Sequence, residues 1–242
     1  MFSTTATLVL TLALQTASLS PPSDPLPDDK PIQEIFQNLG RDLKHLPSLD
    51  TLVIVGTGVV AAGVGHHNDV PLAKWVAKQE PAGYTAIGEV IGGGWTQGSA
   101  AIGTYVVGLL AHDRPTIHIG SDLIRAQLLN GVLTRGIKIV SSRDRPSGGP
   151  NSMPSGHTSA TFASAAVLQD HFGWKVGVPS FAVAGFVGWT RIRDQHHWLT
   201  DVLVGASIGI AAGHTVATGH RGRTWALVPV ATKQTVALYY VR

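Results

Sequence analysis

A chain of 242 residues with 44% hydrophobic and only 14% charged side chains has ample apolar material for one core, and nothing in its length requires a second domain. Its formal net charge of +3 is not gathered into a basic run, and no stacking aromatics are interleaved with the Lys and Arg, which argues against a nucleic-acid partner. The absence of cysteine excludes disulfides and thiolate chemistry and is compatible with an oxidising compartment.

In chain order, residues 7–14 form an apolar run too short to cross a bilayer. Gln15-Thr16-Ala17-Ser18 follows, so residues 1–20 read as a secretory signal peptide, here without basic residues ahead of the apolar run. Residues 21–31, rich in Pro and Asp, read as an extended linker. A helix is expected over 33–46. Apolar or small-residue segments then fall at 52–64, 93–111, 117–140, 159–172, 179–192 and 200–216, giving an all-α helical bundle of about six core helices within residues 32–222. Glycine and alanine within 92–108 and 204–213 predict helices that pack closely through small residues. Residues 223–242 differ: 226–230 and 235–241 read as two short strands, a C-terminal β-hairpin. Segments 52–65 and 202–216 carry no Asp, Glu, Lys or Arg, as a membrane helix would. Glu89, Gln97, Arg125 and Gln127, by contrast, predict a water-facing region. A membrane-associated protein and a soluble exported one are both open at this point.

The chemistry concentrates between Lys138 and Asp201. Lys138 falls near the end of the helical pattern that runs from Leu123, and Arg145-Pro146 lies on the Gly/Pro loop after it. Pro154-Ser155-Gly156-His157 re-enters a helix, where free backbone N–H groups and the positive dipole end can face an anion. Arg191, His197 and Asp201 follow. Guanidinium forks and an ammonium match phosphoryl oxygens. Two histidines supply a nucleophile and an acid for the leaving oxygen. The spacing of His197 and Asp201 places them on one face of a helix that begins there, so the carboxylate can hold one imidazole nitrogen as N–H.

These residues resemble the three motifs of the type 2 phosphatidic acid phosphatase superfamily, which also includes bacterial class A acid phosphatases and vanadium haloperoxidases. Lys138, Arg145 and Pro146 match the first motif, Pro154 to His157 the second, and Arg191, His197 and Asp201 the third, where Thr190 stands in place of the family's serine. The resemblance implies a helical bundle. It implies a phosphohistidine at His197 oriented by Asp201, His157 as general acid, and Lys138, Arg145, Ser155, Gly156 and Arg191 as phosphate-binding residues, with no metal and no cofactor.

The expected activity is a metal-independent phosphoric ester hydrolase acting on a phosphomonoester or a lipid-linked phosphate or pyrophosphate. The expected partner is therefore a phosphorylated lipid or small phosphoester. If the chain is exported, the site faces the periplasm, from solution or from the inner membrane. One alternative is a vanadium-dependent haloperoxidase, in which the same residues would hold vanadate. The other is a non-catalytic envelope protein that binds phosphate or lipid headgroups.

Several polar residues have simpler readings. His66-His67-Asn68-Asp69 reads as a polar loop, since adjacent histidines rarely share one metal ion. Arg143 and Asp144 read as a local ion pair or part of a basic rim. Arg125 and Arg135 read as helix-end residues rather than additions to that rim. His196 lies off the motif register. Trp95, Trp174, Trp189 and Trp198 read as flanking an apolar entry or filling the core, most of them the core.

Overall fold

A computed structural model describes residues 31–79, 83–219, 226–232 and 235–241. The expected signal peptide and nearly all of the expected linker lie outside the described residues. Among those described, nine α-helices occur: α1 (Pro31–His45), α2 (Leu49–Gly65), α3 (Asp69–Ala77), α4 (Thr85–Gly92), α5 (Gly94–Ala111), α6 (Arg114–Ser141), α7 (Gly156–Phe172), α8 (Trp174–Arg193) and α9 (Leu199–Thr218). The six expected core segments correspond to α2 and α5 to α9, and the first expected helix to α1. Two short helices, α3 and α4, were not anticipated. At the C-terminus, β1 (Ala226–Thr232) pairs antiparallel with β2 (Thr235–Val241), Ala226 opposite Val241 and Thr232 opposite Thr235.

Local chemistry sets the helix ends. The Ser48 side chain caps α2 by accepting from Thr51 N, and Asp113 caps α6 by accepting from Thr116 N, with Pro115 in its first turn. His112 and Ser142 adopt left-handed backbone where α5 and α6 stop.

The centre of the bundle is α7, packed on α9, α8 and α6. Its contact with α9 is made by backbone as much as by side chains. A Cβ on Gly205 would lie 2.7 Å from the Ser155 carbonyl oxygen, one on Gly209 2.2 Å from that of Ser159, and one on Gly213 2.4 Å from that of Ala163. These glycines recur one turn apart, so a single face of α9 lies flush on α7, as the small-residue pattern predicts. Gly209→Val is expected to force the two helices apart and destabilise the fold by about 3 kcal/mol. A thermal or chemical melt of the purified variant would measure this loss.

Polar side chains turn inward. Arg125, only 1% exposed, pairs with Asp42 from α1 and with Asp122, and Asp122 also meets His171 from α7 at 2.9 Å. Gln127 donates to the Ala160 carbonyl and the Ser164 hydroxyl, and Ser164 donates to Gln97. This corrects two expectations. Arg125 is not a helix-end residue, and Gln97, Arg125 and Gln127 do not mark a water-facing region, because each finds a partner between helices. Burial of such groups is tolerable only with partners.

The outward faces are the apolar ones. Leu52, Val60 and Val64 on α2, Ile102, Val107 and Leu110 on α5, and Val132, Ile139 and Val140 on α6 are all exposed. Trp95 is 92% and Trp174 72% exposed, which overturns their assignment to the core. By length and composition, two stretches could cross a membrane: Leu49–Ala77, with mean hydropathy 1.5, and Leu199–Thr218, with 1.4. They differ in surroundings, since 17% of the first and 67% of the second is buried within the protein.

Candidate active site

All eight candidate site residues come from four neighbouring places at one region of the bundle. Lys138 lies in the last turn of α6, and Arg145 follows on the loop to α7. Ser155 occupies the N-cap of α7, with Gly156 and His157 in its first turn. Arg191 lies in the last turn of α8. His197 precedes α9 rather than opening it, and Asp201 sits in the first turn of that helix. The α8–α9 connection folds back on Arg191, whose carbonyl accepts from the backbone N–H of His196 and His197. Ser155 N donates to the Asp201 carbonyl, tying the start of α7 to the start of α9.

The cations fall into two groups. Arg191 is buried and pairs with Glu89 and, at 3.0 Å, with Asp194. Lys138 and Arg145, in contrast, have no carboxylate within ion-pair distance among the described residues. The Lys138 ammonium donates to the Asn151 carbonyl at 2.6 Å, and Arg145 Nε is buried without a hydrogen-bond partner. Burial, and then the proximity of Arg145, push the Lys138 pKa down from the usual lysine value. Two like charges held together in a partly buried place are costly unless an anion joins them.

His197 is 5% exposed, and burial pushes its pKa below the ordinary histidine value against the opposing influence of Asp201. That shift favours the neutral form of the ring. Nδ1 lies 3.8 Å from Asp201 Oδ2, beyond a hydrogen bond, and has no other partner. Asp201 is itself fixed from several directions. Oδ2 accepts from the Ser152 hydroxyl and from Trp198 N, and Oδ1 accepts from Arg143 at 2.7 Å. A small approach of the ring would close the His197–Asp201 contact, and catalytic hydrogen bonds are often long before substrate binds.

A helix opening on a Gly/Pro loop, half-buried cations without carboxylate partners and a buried histidine beside a fixed carboxylate form one constellation. The family model for the PAP2 superfamily matches residues 132–225, the span that carries all of it. The chain contains a PAP2 superfamily domain. Over 97 residues the chain is 39% identical to the lipid A 1-phosphatase of Porphyromonas gingivalis, which covers 38% of this chain and 22% of that protein. Over 77 residues it is 27% identical to the lipid A 4'-phosphatase of Helicobacter pylori, covering 32% of this chain and 39% of that one. The matched stretches thus span well under half the length of either relative.

Solved structures share the PAP2 fold more widely. The crystal structure of Aquifex aeolicus LpxE superposes with a TM-score of 0.50 at 23% identity, over 60% of this chain and 92% of that one. The transmembrane PAP2 type phosphatidylglycerolphosphate phosphatase of Bacillus subtilis superposes with a TM-score of 0.52 at 22% identity, over 70% and 94%.

Three residues around the PAP2 site escaped the sequence reading. Arg143 does not pair with Asp144. It bridges Asp69 at 2.8 Å and Asp201 at 2.7 Å, donates to Thr200 Oγ1 and lies over the Trp198 ring. Asp69 is not a loop residue, because it opens α3 almost fully buried and also accepts from Thr200 N and Oγ1. Glu89, on the unanticipated α4, reaches both Arg191 and His157. The isolated charge of Asp69 after an apolar run was the one local hint. Nothing local tied Glu89 or Arg143 to the site, since their partners are distant in sequence.

Proposed function

We propose that this protein is a phosphatase that hydrolyses the phosphomonoester or pyrophosphate of a membrane lipid through a phosphohistidine at His197. The observation that carries this reading is the pair of half-buried cations without carboxylate partners, Lys138 and Arg145, beside the buried His197. An anion there would relieve their repulsion, and positioning with electrostatic stabilisation is most of what phosphoryl transfer asks of a protein.

In the proposed reaction, a His197 ring nitrogen attacks phosphorus and the bond to the leaving oxygen breaks as that oxygen takes a proton from His157. The resulting alcohol, or phosphate where the substrate is a pyrophosphate, departs. His157 then accepts a proton from water as its oxygen attacks the phosphohistidine, which frees inorganic phosphate and restores His197. Lys138, Arg145, Arg191 and the N-terminal turn of α7 at Ser155 and Gly156 hold the phosphoryl oxygens throughout. Asp201 stabilises the charge that develops on His197.

The inverted polarity of the bundle supports a lipid rather than a soluble substrate. Polar side chains pair inside while apolar ones cover α2, α5 and α6 outside, and Trp95 and Trp174 suit a membrane interface. The names of the relatives, lipid A phosphatases and a phosphatidylglycerolphosphate phosphatase, point to the same substrate class. We place the protein at the membrane with its site on the periplasmic side.

Phosphate release from a panel of lipid A, phosphatidylglycerolphosphate, an isoprenyl pyrophosphate and a soluble aryl phosphate tests the reading. Activity is expected on at least one lipid, unchanged by EDTA and inhibited by vanadate, whose trigonal-bipyramidal form mimics the transition state. Loss of activity in EDTA would overturn the metal-free mechanism. Preference for the aryl ester would overturn the lipid assignment.

A further inference from the structure

Glu89 has no place in the motifs, yet its carboxylate spans two members of the site. One oxygen pairs with Arg191 Nη1, and the other lies 3.1 Å from His157 Nε2. The short helix α4 is built to deliver it there. A Cβ on Gly88 would lie 2.1 Å from Thr190 Oγ1, and one on Gly92 would lie 2.9 Å from His157 Cβ. Two glycines about one turn apart therefore bring α4 against the residue before Arg191 and against His157 itself, with Glu89 between them. The side chain remains half exposed, so its position reflects these pairings rather than enclosure by the core.

We propose that Glu89 is a positioning residue that pairs with His157 Nε2 and fixes the imidazole against Arg191, so that the general acid holds its proton more tightly than the same ring would without the carboxylate. This rests on the assignment of His157 as the acid. Burial, and with it Arg191 and His196, works against a charge on that ring and leaves its pKa below the ordinary histidine value, while Glu89 alone among these neighbours opposes the shift. Those three residues are the charged or titratable groups facing His157 from α4, α8 and the α8–α9 connection, while α5 carries no carboxylate, Lys, Arg or His. The reciprocal effect falls on Glu89: burial raises its pKa, but His157 and Arg191 outweigh burial and leave it below the usual glutamate value. Glu89 is thus anionic wherever His157 needs it.

The test compares wild type, Glu89→Gln and Glu89→Asp as full-length protein. The pH profile of kcat/KM is read on the panel substrate that wild type hydrolyses best, and the His157 imidazole is titrated by NMR without substrate, assigned with His157→Gln. Glutamine keeps the shape and removes the charge. The alkaline limb of Glu89→Gln is expected to move down by about one pH unit, with a roughly tenfold loss on the alkaline side and little loss at acid pH. The NMR titration is expected to move with it, and aspartate to restore part of both.

An unmoved His157 titration would overturn the inference whether or not the protein hydrolyses any substrate offered. A gain in activity with a lower KM in Glu89→Gln would also overturn it, because the carboxylate would then be competing with phosphate for Arg191. Failure of the phosphatase reading looks different. Wild type would be inactive on the whole panel, or His197→Ala would remain active, while the titration could still move.

Discussion

Replacing His197 with alanine is expected to lower turnover by at least about 10⁴-fold, with melting temperature changed little and phosphate still bound. The size follows from the role. A nucleophile that forms the covalent intermediate has no substitute among its neighbours, whereas the cations proposed to grip phosphate, Lys138, Arg145 and Arg191, remain in place. Phosphate release by purified variant and wild type under one condition reads the loss, and ³¹P observation of acid-quenched wild type is expected to show a phosphohistidine absent from the variant. Retained turnover in His197→Ala would remove the covalent mechanism. Retained phosphate binding without hydrolysis in wild type would leave a headgroup-binding protein.

Arg143→Met is expected to damage both folding and catalysis. The guanidinium, 24% exposed, lies between Asp69 and Asp201, which are 1% and 0% exposed. Removing it leaves two buried carboxylates facing a lost cation, a change that costs about 3 kcal/mol in comparable buried pairs. Asp201 would also lose one of the bonds that fix it beside His197, so kcat is expected to fall by about 10²-fold with KM changed less. Arg143→Lys restores charge without the fork that reaches Asp69, Thr200 and Asp201 together, and is expected to recover stability more than rate. Equal loss of stability and full retention of kcat would show that Arg143 only braces the fold.

Arg143 also shows how far local sequence could be read. Lys138, Arg145, Ser155, His157, Arg191 and Asp201 were legible because motif spacing and helix periodicity operate over short distances, and the bundle's long helices followed from the same periodicity. The roles of Arg143 and Glu89 depend on contacts with residues 58 and 102 positions away, Asp201 and Arg191 respectively. No periodicity encodes such pairings. Helix α4 was missed because Thr85–Gly92 is short and contains two glycines at its packed face, which lowers its helical propensity while permitting its close approach. Arg125 and Gln127 were misplaced for a different reason. A polar residue on an apolar helix signals water only if water surrounds the helix, and here the outside is the apolar side.

The glycine face of α9 has a consequence for how the proposed phosphatase could change its substrate. Ser155 and His157 ride on α7 and Asp201 on α9, and the spacing of those two helices is set by main chain against main chain at Gly205, Gly209 and Gly213. His157 and Asp201 are consequently referenced to one rigid baseplate, while the exposed outer face of α5, which carries none of the candidate site residues, can vary around it. Under the proposed function, headgroup or acyl preference could be rewritten on that outer face without moving His157 or Asp201, which would make chemistry and recognition separable in this fold.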